Sequence, residues 1–187
     1  MARIMTEEEV NSDQRFAGEK KEIERVDLVD SSGAIQKNGV LRSDVGLYPD
    51  LHLQIVIGVI FDKEGRILVH RRAQTKEVNP GDIDHVCGGV KSGEKPEEAL
   101  VREADEETAT KPQNLRIILQ GVNTYSRYRY LFVGEFDGEP EQGDPTEVEW
   151  VRFIDPDELR EKLNTGEFTF VDEFFEDTEM ATQNRAL

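Results

Sequence analysis

Three glutamates are spaced so that their carboxylates can act together: Glu103, Glu106 and Glu107 stand at positions i, i+3 and i+4. In a helix, residues at this spacing share one face, with Cβ atoms about 5–6 Å apart. Three carboxylates on one face repel one another unless a cation lies between them. Mg²⁺ takes oxygen ligands and commonly bridges carboxylates and phosphate oxygens. The spacing therefore indicates either a divalent-metal site or a solvated acidic helix face.

The residues that precede these glutamates favour the metal site. Gly88, Gly89 and Gly93 lie within six residues, and glycines let backbone atoms approach a ligand closely. A glycine-rich loop that leads into a helix also suits phosphate groups. Glu94, at the start of the helix, could join or brace the site. Arg102 could neutralise one glutamate and hold its orientation.

A known motif accounts for this pattern. Gly88, Glu94 and the run from Arg102 to Glu107 match the Nudix box, G-x5-E-x7-R-E-U-x-E-E-x-G-U, at its fixed spacings. Ala109 replaces the final glycine and Thr110 the final hydrophobic residue. An alanine adopts the left-handed conformation less readily than glycine, so these departures bear on the helix end and not on the ligands.

The resemblance extends over roughly residues 26–183, and its segments 26–30, 51–72 and 71–89 look like the isopentenyl-diphosphate-isomerase-like branch of the Nudix hydrolase superfamily. It implies an α/β (α+β) Nudix fold, in which a mixed β-sheet is sandwiched between helices and the box forms a loop–helix–loop. It also implies a hydrolase that uses Mg²⁺ or Mn²⁺ to cleave a phosphoanhydride bond in a small diphosphate.

The resemblance and the residue types together give a candidate site. The metal ligands are predicted to be Glu103, Glu106, Glu107 and Gly88, and the catalytic residues Glu106, Glu103, Arg102 and Glu147. Glu147 matches a recurring E-V-x4-W/F element of Nudix relatives, although an exposed glutamate at a strand end is an alternative explanation. The expected phosphate-binding residues are Arg71, Arg72, Lys76 and Lys91. Side chains alternate along a strand, so only one of Arg71 and Arg72 can face the site.

Cys87 raises the alternative of an isopentenyl-diphosphate isomerase, whose catalytic cysteine occupies the same place before the box glycine. Cys87 could equally be a small buried hydrophobic residue. The isomerase also has a histidine ligand where this chain has Gly89, a second histidine that is absent from 42–49, and glutamates that are absent from 125–128. Only His52 matches its ligand set. We therefore expect hydrolysis and keep two alternatives, the isomerase and a non-catalytic diphosphate-binding module.

The leaving group of the substrate is not determined by the sequence. Tyr125, Tyr128 and Tyr130 could stack on a nucleobase. They could instead be core and edge residues of a strand. A nucleoside diphosphate derivative and a prenyl diphosphate therefore both stay open.

The elements that must position these residues follow from periodicity and turn signals. Strands are predicted at 26–29, 51–61, 66–70, 116–122, 128–136 and 148–154. Helices are predicted at 94–110, from Pro156 after the cap Asp155, and at 169–182; residues 73–87 are predicted to be a polar loop. Strands on both sides of one central helix indicate a mixed α/β or α+β domain.

Composition limits the other possibilities. The 187 residues carry a net charge of −17, which argues against non-specific binding to nucleic acid or to an anionic membrane. The single cysteine excludes an intrachain disulfide, and no apolar run approaches the roughly 18 residues of a membrane span. The N-terminus lacks an apolar signal core, so we expect a cytoplasmic protein. The oligomeric state, including a homodimer, stays open.

We predict three regions: a charged helix or arm over residues 1–25, a Nudix domain over 26–183 and a tail over 184–187. The acid is concentrated near the C-terminus, where residues 137–187 contain 16 acidic and four basic residues, a net charge of −12. That surface could be a partner site or a repulsive face, or it could consist of solvated helix faces that keep the protein soluble.

Overall fold

The computed structural model describes residues 24–185. The predicted arm over 1–25 lies almost entirely outside these residues, and half of the predicted tail over 184–187 does, so both stay predictions. Among the described helices, none has the length and apolar character needed to cross a bilayer.

Nine strands and three α-helices make up the described part of the chain. The strands are β1 (Arg25–Val29), β2 (Ile35–Leu41), β3 (His52–Phe61), β4 (Ile67–Arg72), β5 (Ile83–Asp84), β6 (Val86–Gly89), β7 (Gln113–Val122), β8 (Tyr128–Glu135) and β9 (Val148–Ile154). The helices are α1 (Pro96–Thr108), α2 (Pro156–Thr165) and α3 (Phe174–Asn184), and a 3₁₀ helix spans Arg42–Leu47.

Strand β3 organises the sheet. It runs parallel to β8 along Gln54–Phe61 and antiparallel to β6 along Ile55–Gly58. Its first two residues, His52 and Leu53, pair with β1, and β1 in turn pairs with β2. On the far side of β8 lies β7, while β4 pairs with β5 and β9. The sheet is therefore mixed, as predicted.

Alternation along β3 divides the core between the two faces of the sheet. Val56 and Ile60 pack in one buried cluster with Ala99, Leu100 and Ala104 of α1. Val59 and Phe61 pack in another with Leu159 of α2 and with Phe174 and Ala181 of α3. The predicted placement of the sheet between helices is confirmed.

Helix α1, which carries the box residues, begins and ends inside its predicted range. Pro96 occupies its first turn, where a missing N–H costs nothing, and Glu98 accepts a hydrogen bond from the backbone nitrogen of Lys95 (3.2 Å). It ends at Thr108 because Ala109 adopts a left-handed conformation, with φ of 49°. Thr110 is fully buried and lies 2.8 Å, oxygen to oxygen, from the Thr108 hydroxyl.

The structure corrects several predicted boundaries. Strand β2 was not predicted, because its residues 35–38 are exposed and lack apolar alternation. The predicted loop over 73–87 contains β5 and the start of β6. Helix α3 begins at Phe174 rather than at residue 169, and β7 begins three residues before the predicted strand. The predicted cap of α2 is confirmed, since the Asp155 carboxylate accepts a hydrogen bond from the Asp157 nitrogen (2.8 Å).

Candidate functional site

Gly88 lies in β6 and contacts helix α1 through the side chain of Glu103. It pairs with Val56 of β3, and the Glu103 carboxyl group lies directly against its Cα. A Cβ atom added at Gly88 would fall 2.0 Å from the carboxyl carbon of Glu103. A side chain at position 88 would therefore displace Glu103, which gives the first box glycine a steric reason.

Arg102 joins the acidic residues of the box. Its Nε and Nη2 donate to Glu94 (2.8 and 2.9 Å), and its Nη1 donates to Glu103 (2.7 Å) and Glu106 (3.2 Å). Nη2 also donates to the carbonyl oxygen of Gly89 at 2.8 Å. One planar guanidinium thus contacts three carboxylates and the β6 backbone, and its orienting role stays a prediction.

These contacts shift the pKa values of Arg102, Glu94 and Glu103. Burial alone would lower the pKa of Arg102, but the hydrogen bonds and charges of Glu94 and Glu103 raise that pKa above its usual range. Burial acts to raise the pKa of Glu94, yet its contacts with Arg102 and the Lys91 nitrogen leave the pKa lowered. The pKa of Glu103 is raised, first by burial and further by the charge of Glu106, against the effect of Arg102.

Glu107 points away from this group and into the protein. It is buried, and its Oε2 accepts a hydrogen bond from the Cys87 nitrogen (3.1 Å) and lies 3.8 Å from His70 Nδ1. Burial, followed by the charges of Glu103 and Asp84, raises the pKa of Glu107 well above its usual value. Burial also lowers the pKa of His70 to about 3, so this imidazole is neutral.

Cys87 has acidic neighbours, contrary to the expectation of a lone packing residue. Its thiol donates to Asp84 Oδ2 (3.2 Å), and Arg72 Nη1 donates to the same oxygen (3.0 Å). Burial, followed by the charges of Asp84 and Glu107, raises the pKa of the thiol well above 9, so the thiol stays protonated. The carboxylate partners come from β5 and α1, and not from 125–128, the segment that corresponds to the glutamates of the isomerase.

The expected convergence of all three glutamate carboxylates is not seen. Within residues 24–185, no three acidic, histidine or cysteine side chains are gathered closely enough to enclose an ion. The chemistry of the donors nevertheless fits a hard cation, because Glu103, Glu106 and Glu107 offer only oxygen. The charge of Glu106 raises the pKa of Glu103, and the charge of Glu103 raises the pKa of Glu107, so a bound cation would relieve that repulsion.

The predicted phosphate-binding residues already have partners. Arg72 faces inward to Asp84, whereas Arg71 Nε donates to the carbonyl oxygen of Gly81 (2.9 Å). Only one of the two arginines therefore faces the box, as the alternation of β4 predicted. Lys76 forms an ion pair with Glu147, whose carboxylate is about half exposed. The backbone nitrogen of Lys91 donates to Glu94 Oε2 (2.9 Å).

The remaining predicted residues are strand and loop residues. His52 lies next to Val29 in the ladder, and its Nδ1 is 2.9 Å from the carbonyl oxygen of Ser126. Tyr128 is buried, and the Tyr130 hydroxyl donates to Gln54 Oε1 (3.0 Å). Tyr125 is exposed. These contacts favour the structural alternative for Tyr128 and Tyr130.

Two features beside the box were missed by sequence reasoning. Arg42 donates to Glu24 (2.7 Å), and a Cβ atom added at Gly89 would lie 2.5 Å from the Arg42 Nη1 atom. The Gly143 amide donates to the Glu107 carbonyl (3.0 Å), and a Cβ atom added at Gly143 would lie 1.8 Å from the backbone carbonyl oxygen of Glu106. Both contacts join distant segments, so no local sequence signal reveals them.

Comparison with known proteins places this geometry in context. Residues 51–174 match the NUDIX domain family. An uncharacterised Nudix hydrolase from Nostoc sp. is 32% identical over 157 residues, which cover 79% of this chain and 89% of that protein. An isopentenyl-diphosphate Delta-isomerase from Streptomyces coelicolor is 33% identical over 115 residues, 55% of this chain and 57% of that enzyme.

Solved structures share the fold. DR0079 from Deinococcus radiodurans superposes with a TM-score of 0.67 at 24% identity, covering 84% of this chain and 99% of that one. The NUDIX domain of Shewanella oneidensis NrtR, solved in complex with ADP ribose, superposes with a TM-score of 0.60 at 14% identity, covering 71% and 88%. The fold expected from the box resemblance is confirmed.

Proposed function

Because the chain belongs to the NUDIX domain family, we propose that it is a divalent-metal-dependent hydrolase that cleaves a phosphoanhydride bond in a small diphosphate. The observation that carries the proposal is the set of carboxylates that Arg102 holds beside Gly88. Carboxylates this close together repel one another in water, and they also repel a polyanionic substrate. Bound cations would offset both repulsions.

Mg²⁺ or Mn²⁺ would be held by Glu103, Glu106 and Glu107, together with the carbonyl oxygen of Gly88. A metal ion in such a site polarises a phosphoryl oxygen and lowers the pKa of water. Glu106 is the ligand most open to solvent, since about half of its side chain is exposed. Glu103, wedged against Gly88, is the most tightly positioned.

Arg102 acts as a positioning residue in this proposal. Its hydrogen bonds go to protein oxygens, so it orients Glu94, Glu103 and Glu106 and does not reach for substrate. The fork of five N–H groups suits this task, because a lysine could not bond several carboxylates in fixed directions.

Glu147 is the proposed general base. Its carboxylate is half exposed directly before β9, and the ion pair with Lys76 holds it in place. Its main chain is fixed as well, because the Ala73 nitrogen donates to the Glu147 carbonyl (2.9 Å). Its negative charge also contributes to the raised pKa of Glu107, as expected of a group near the box.

Phosphate oxygens would be bound by the cations at the rim of the site. Lys76 has three N–H donors, so it could bind a phosphate oxygen while it keeps its ion pair with Glu147. Arg42 is partly exposed and paired with Glu24, which a phosphate group could replace. Arg72 is more deeply buried and stays with Asp84. Lys91 and Arg71 complete the set proposed from the sequence.

The isomerase is a second candidate function, favoured by one observation. The Cys87 thiol donates to the buried Asp84 carboxylate, which could exchange a proton with it, and the Cys87 nitrogen donates to the buried Glu107. Against it, Gly89 supplies no imidazole, and the Arg42 guanidinium occupies the space over that glycine. Because the Arg42 guanidinium is positively charged, it disfavours a metal ion beside Gly89. Hydrolysis is therefore the better supported reaction.

The test is a substrate panel with Mg²⁺: nucleotide sugars, dinucleotides, nucleoside triphosphates, prenyl diphosphates and capped RNA, scored for released phosphate or pyrophosphate. ADP ribose belongs in the panel, because it is bound by the NUDIX domain of NrtR. We expect turnover of a small diphosphate and poor turnover of capped RNA, which the net charge of −12 over 137–187 repels. Incorporation of solvent deuterium into isopentenyl diphosphate that disappears in Cys87→Ser would replace the hydrolase with the isomerase.

We also propose that the Nudix domain spans residues 26–183. Strand β1 adds to the edge of β3, and Phe174 and Ala181 of α3 are part of the core. Both segments therefore contribute to one folded unit, although the family match covers 51–174.

A further inference from the structure

One buried carboxylate outside the family-matched segment holds the loop that leads into the box helix. Asp27 lies in β1 and is 5% exposed. Its Oδ1 accepts hydrogen bonds from the Gly39 nitrogen (2.8 Å) and the Ser92 hydroxyl (2.5 Å), and its Oδ2 accepts one from the Gly93 nitrogen (3.0 Å). Two of the three donors belong to the box loop.

The backbone of β1 holds the same loop. The Ser92 nitrogen donates to the Arg25 carbonyl (2.8 Å), and Val26 forms an antiparallel bridge with Lys91. The Gln54 amide of β3 donates to the Asp27 carbonyl oxygen (3.0 Å), which fixes β1 in turn. The loop is therefore joined to the sheet through β1.

The residue that follows this loop is Glu94. Its Oε2 accepts a hydrogen bond from the Lys91 nitrogen, and both of its oxygens accept from Arg102. Arg102 then positions Glu103 and Glu106. A displacement of the loop would move Glu94 and release the guanidinium from its place.

We propose that Asp27 is a positioning residue of the metal-binding box, acting through Ser92 and Gly93 on Glu94 and through Glu94 on Arg102. The inference rests on the proposed metal-dependent hydrolysis. It assigns a role in the site to the β1–β2 hairpin, which lies outside the family-matched residues 51–174.

A carboxylate is needed at this position because both of its oxygens act as acceptors. An asparagine offers one acceptor oxygen and two N–H donors, so one orientation sets its NH₂ against the Gly93 N–H and the other against the Gly39 N–H. Burial acts to raise the pKa of Asp27, but the hydrogen bonds from Ser92, Gly39 and Gly93 leave that pKa lowered. The group is therefore ionised at neutral pH.

The chain offers a matched control in Asp62, which is also 5% exposed. Its two oxygens accept hydrogen bonds from the Arg66 nitrogen (2.8 Å) and the Arg66 Nε (2.6 Å), in the turn between β3 and β4. Asp62→Asn therefore makes the same chemical change as Asp27→Asn, without contact to the box loop.

The experiment compares Asp27→Asn, Ser92→Ala and Asp62→Asn with the wild type. Three properties are measured: Mn²⁺ affinity by calorimetry, kcat and KM for the best diphosphate of the panel, and Tm. Removal of groups that orient metal ligands typically costs about 10–100-fold in metal affinity or activity. We expect Asp27→Asn to weaken Mn²⁺ binding and lower kcat by about tenfold or more, with KM little changed. Ser92→Ala should move both properties in the same direction by less, and Asp62→Asn should lower only Tm.

Each outcome decides the inference. If Asp27→Asn affects Mn²⁺ affinity and kcat no more than Asp62→Asn does, the positioning role is wrong. If Asp27→Asn does not fold, Ser92→Ala decides, and unchanged Mn²⁺ affinity in that variant overturns the role. A wild type that binds Mn²⁺ but hydrolyses nothing in the panel refutes the proposed function alone, because the affinity comparison still tests Asp27. A wild type that binds no Mn²⁺ refutes both.

Discussion

The two sides of helix α1 differ in chemistry although one motif supplies both. On the outer side, Glu103 and Glu106 share the Arg102 guanidinium, and about half of Glu106 is exposed. On the inner side, Glu107 is buried against Cys87 and His70. Because consecutive residues are about 100° apart around a helix, Glu106 and Glu107 diverge, and Glu103 lies between them.

Burial acts most strongly on the inner side. There it raises the pKa values of Glu107, Asp84 and Cys87. On the outer side, contact with Arg102 leaves the pKa of Glu94 lowered. The outer side is therefore more accessible to a metal and a phosphate group. On the inner side, the proposed ligand Glu107 also accepts a structural hydrogen bond from the Cys87 nitrogen. Four predictions test this division.

The largest effect is expected at Glu106, on the outer side. Glu106→Gln removes the charge of one proposed oxygen ligand while keeping the shape, so turnover should fall below detection and Mn²⁺ affinity should drop, with Tm unchanged. Steady-state kinetics and calorimetry measure these properties. Asp105→Asn is the control, because Asp105 is the exposed neighbour on the same helix and lies outside the predicted ligand set. If both variants lost turnover and Mn²⁺ affinity equally, the effect would come from the charge of the helix and not from a metal ligand at Glu106.

Arg102→Lys should have the next largest effect. It keeps the charge but loses the planar fork, so Glu94, Glu103 and Glu106 can no longer be held together. We expect kcat to fall about 10–100-fold, with a smaller rise in KM. Arg129→Lys is the control, since Arg129 bridges Glu173 and Asp177 and should affect only Tm. An unchanged kcat in Arg102→Lys would contradict the orienting role.

The sequence predicted the elements that carry a strong local pattern. Helix α1 was predicted because Ala99, Leu100 and Ala104 form an apolar stripe after Pro96, and β9 was predicted with its bounds correct. The Nudix family and the hydrolase class are also confirmed, since the box depends on fixed residue types at fixed spacings.

The rest depends on contacts between distant segments. The inward turn of Glu107 is set by Cys87, 20 residues away, and the box loop is held by Asp27, 65 residues from Ser92. Residue spacing predicts which side chains share a face of a helix. It does not predict which part of that face packs against the sheet. The sequence therefore indicated three equivalent carboxylates, and the fold separates them.

Cys87, on the inner side, is expected to matter little for hydrolysis. Cys87→Ser should leave kcat/KM within a few-fold of wild type, because the thiol is protonated and donates only to Asp84. The raised pKa also predicts slow alkylation, since only the thiolate reacts and each unit of pKa lowers its fraction about tenfold. The iodoacetamide rate of the folded protein should therefore still be rising above pH 9. A plateau reached at neutral pH would show a tuned, reactive thiol and favour the isomerase.

The smallest effect is expected at Ala109, which ends helix α1 and belongs to neither its outer nor its inner side. Its φ of 49° places an alanine in the left-handed region, which disfavours L-residues by about 1–2 kcal/mol. Ala109→Gly removes that strain but adds conformational freedom to the unfolded chain, so the net gain in unfolding free energy should be about 0.5–1 kcal/mol. Thermal unfolding should show a Tm about 1–3 °C higher, with kcat and Mn²⁺ affinity unchanged. Ala99→Gly is the control, because Ala99 is buried within the same helix and glycine there should destabilise by at least about 1 kcal/mol. A change in kcat in Ala109→Gly without loss of stability would mean that the helix end positions Glu106 and Glu107, and that the departure from the box at Ala109 belongs to the site.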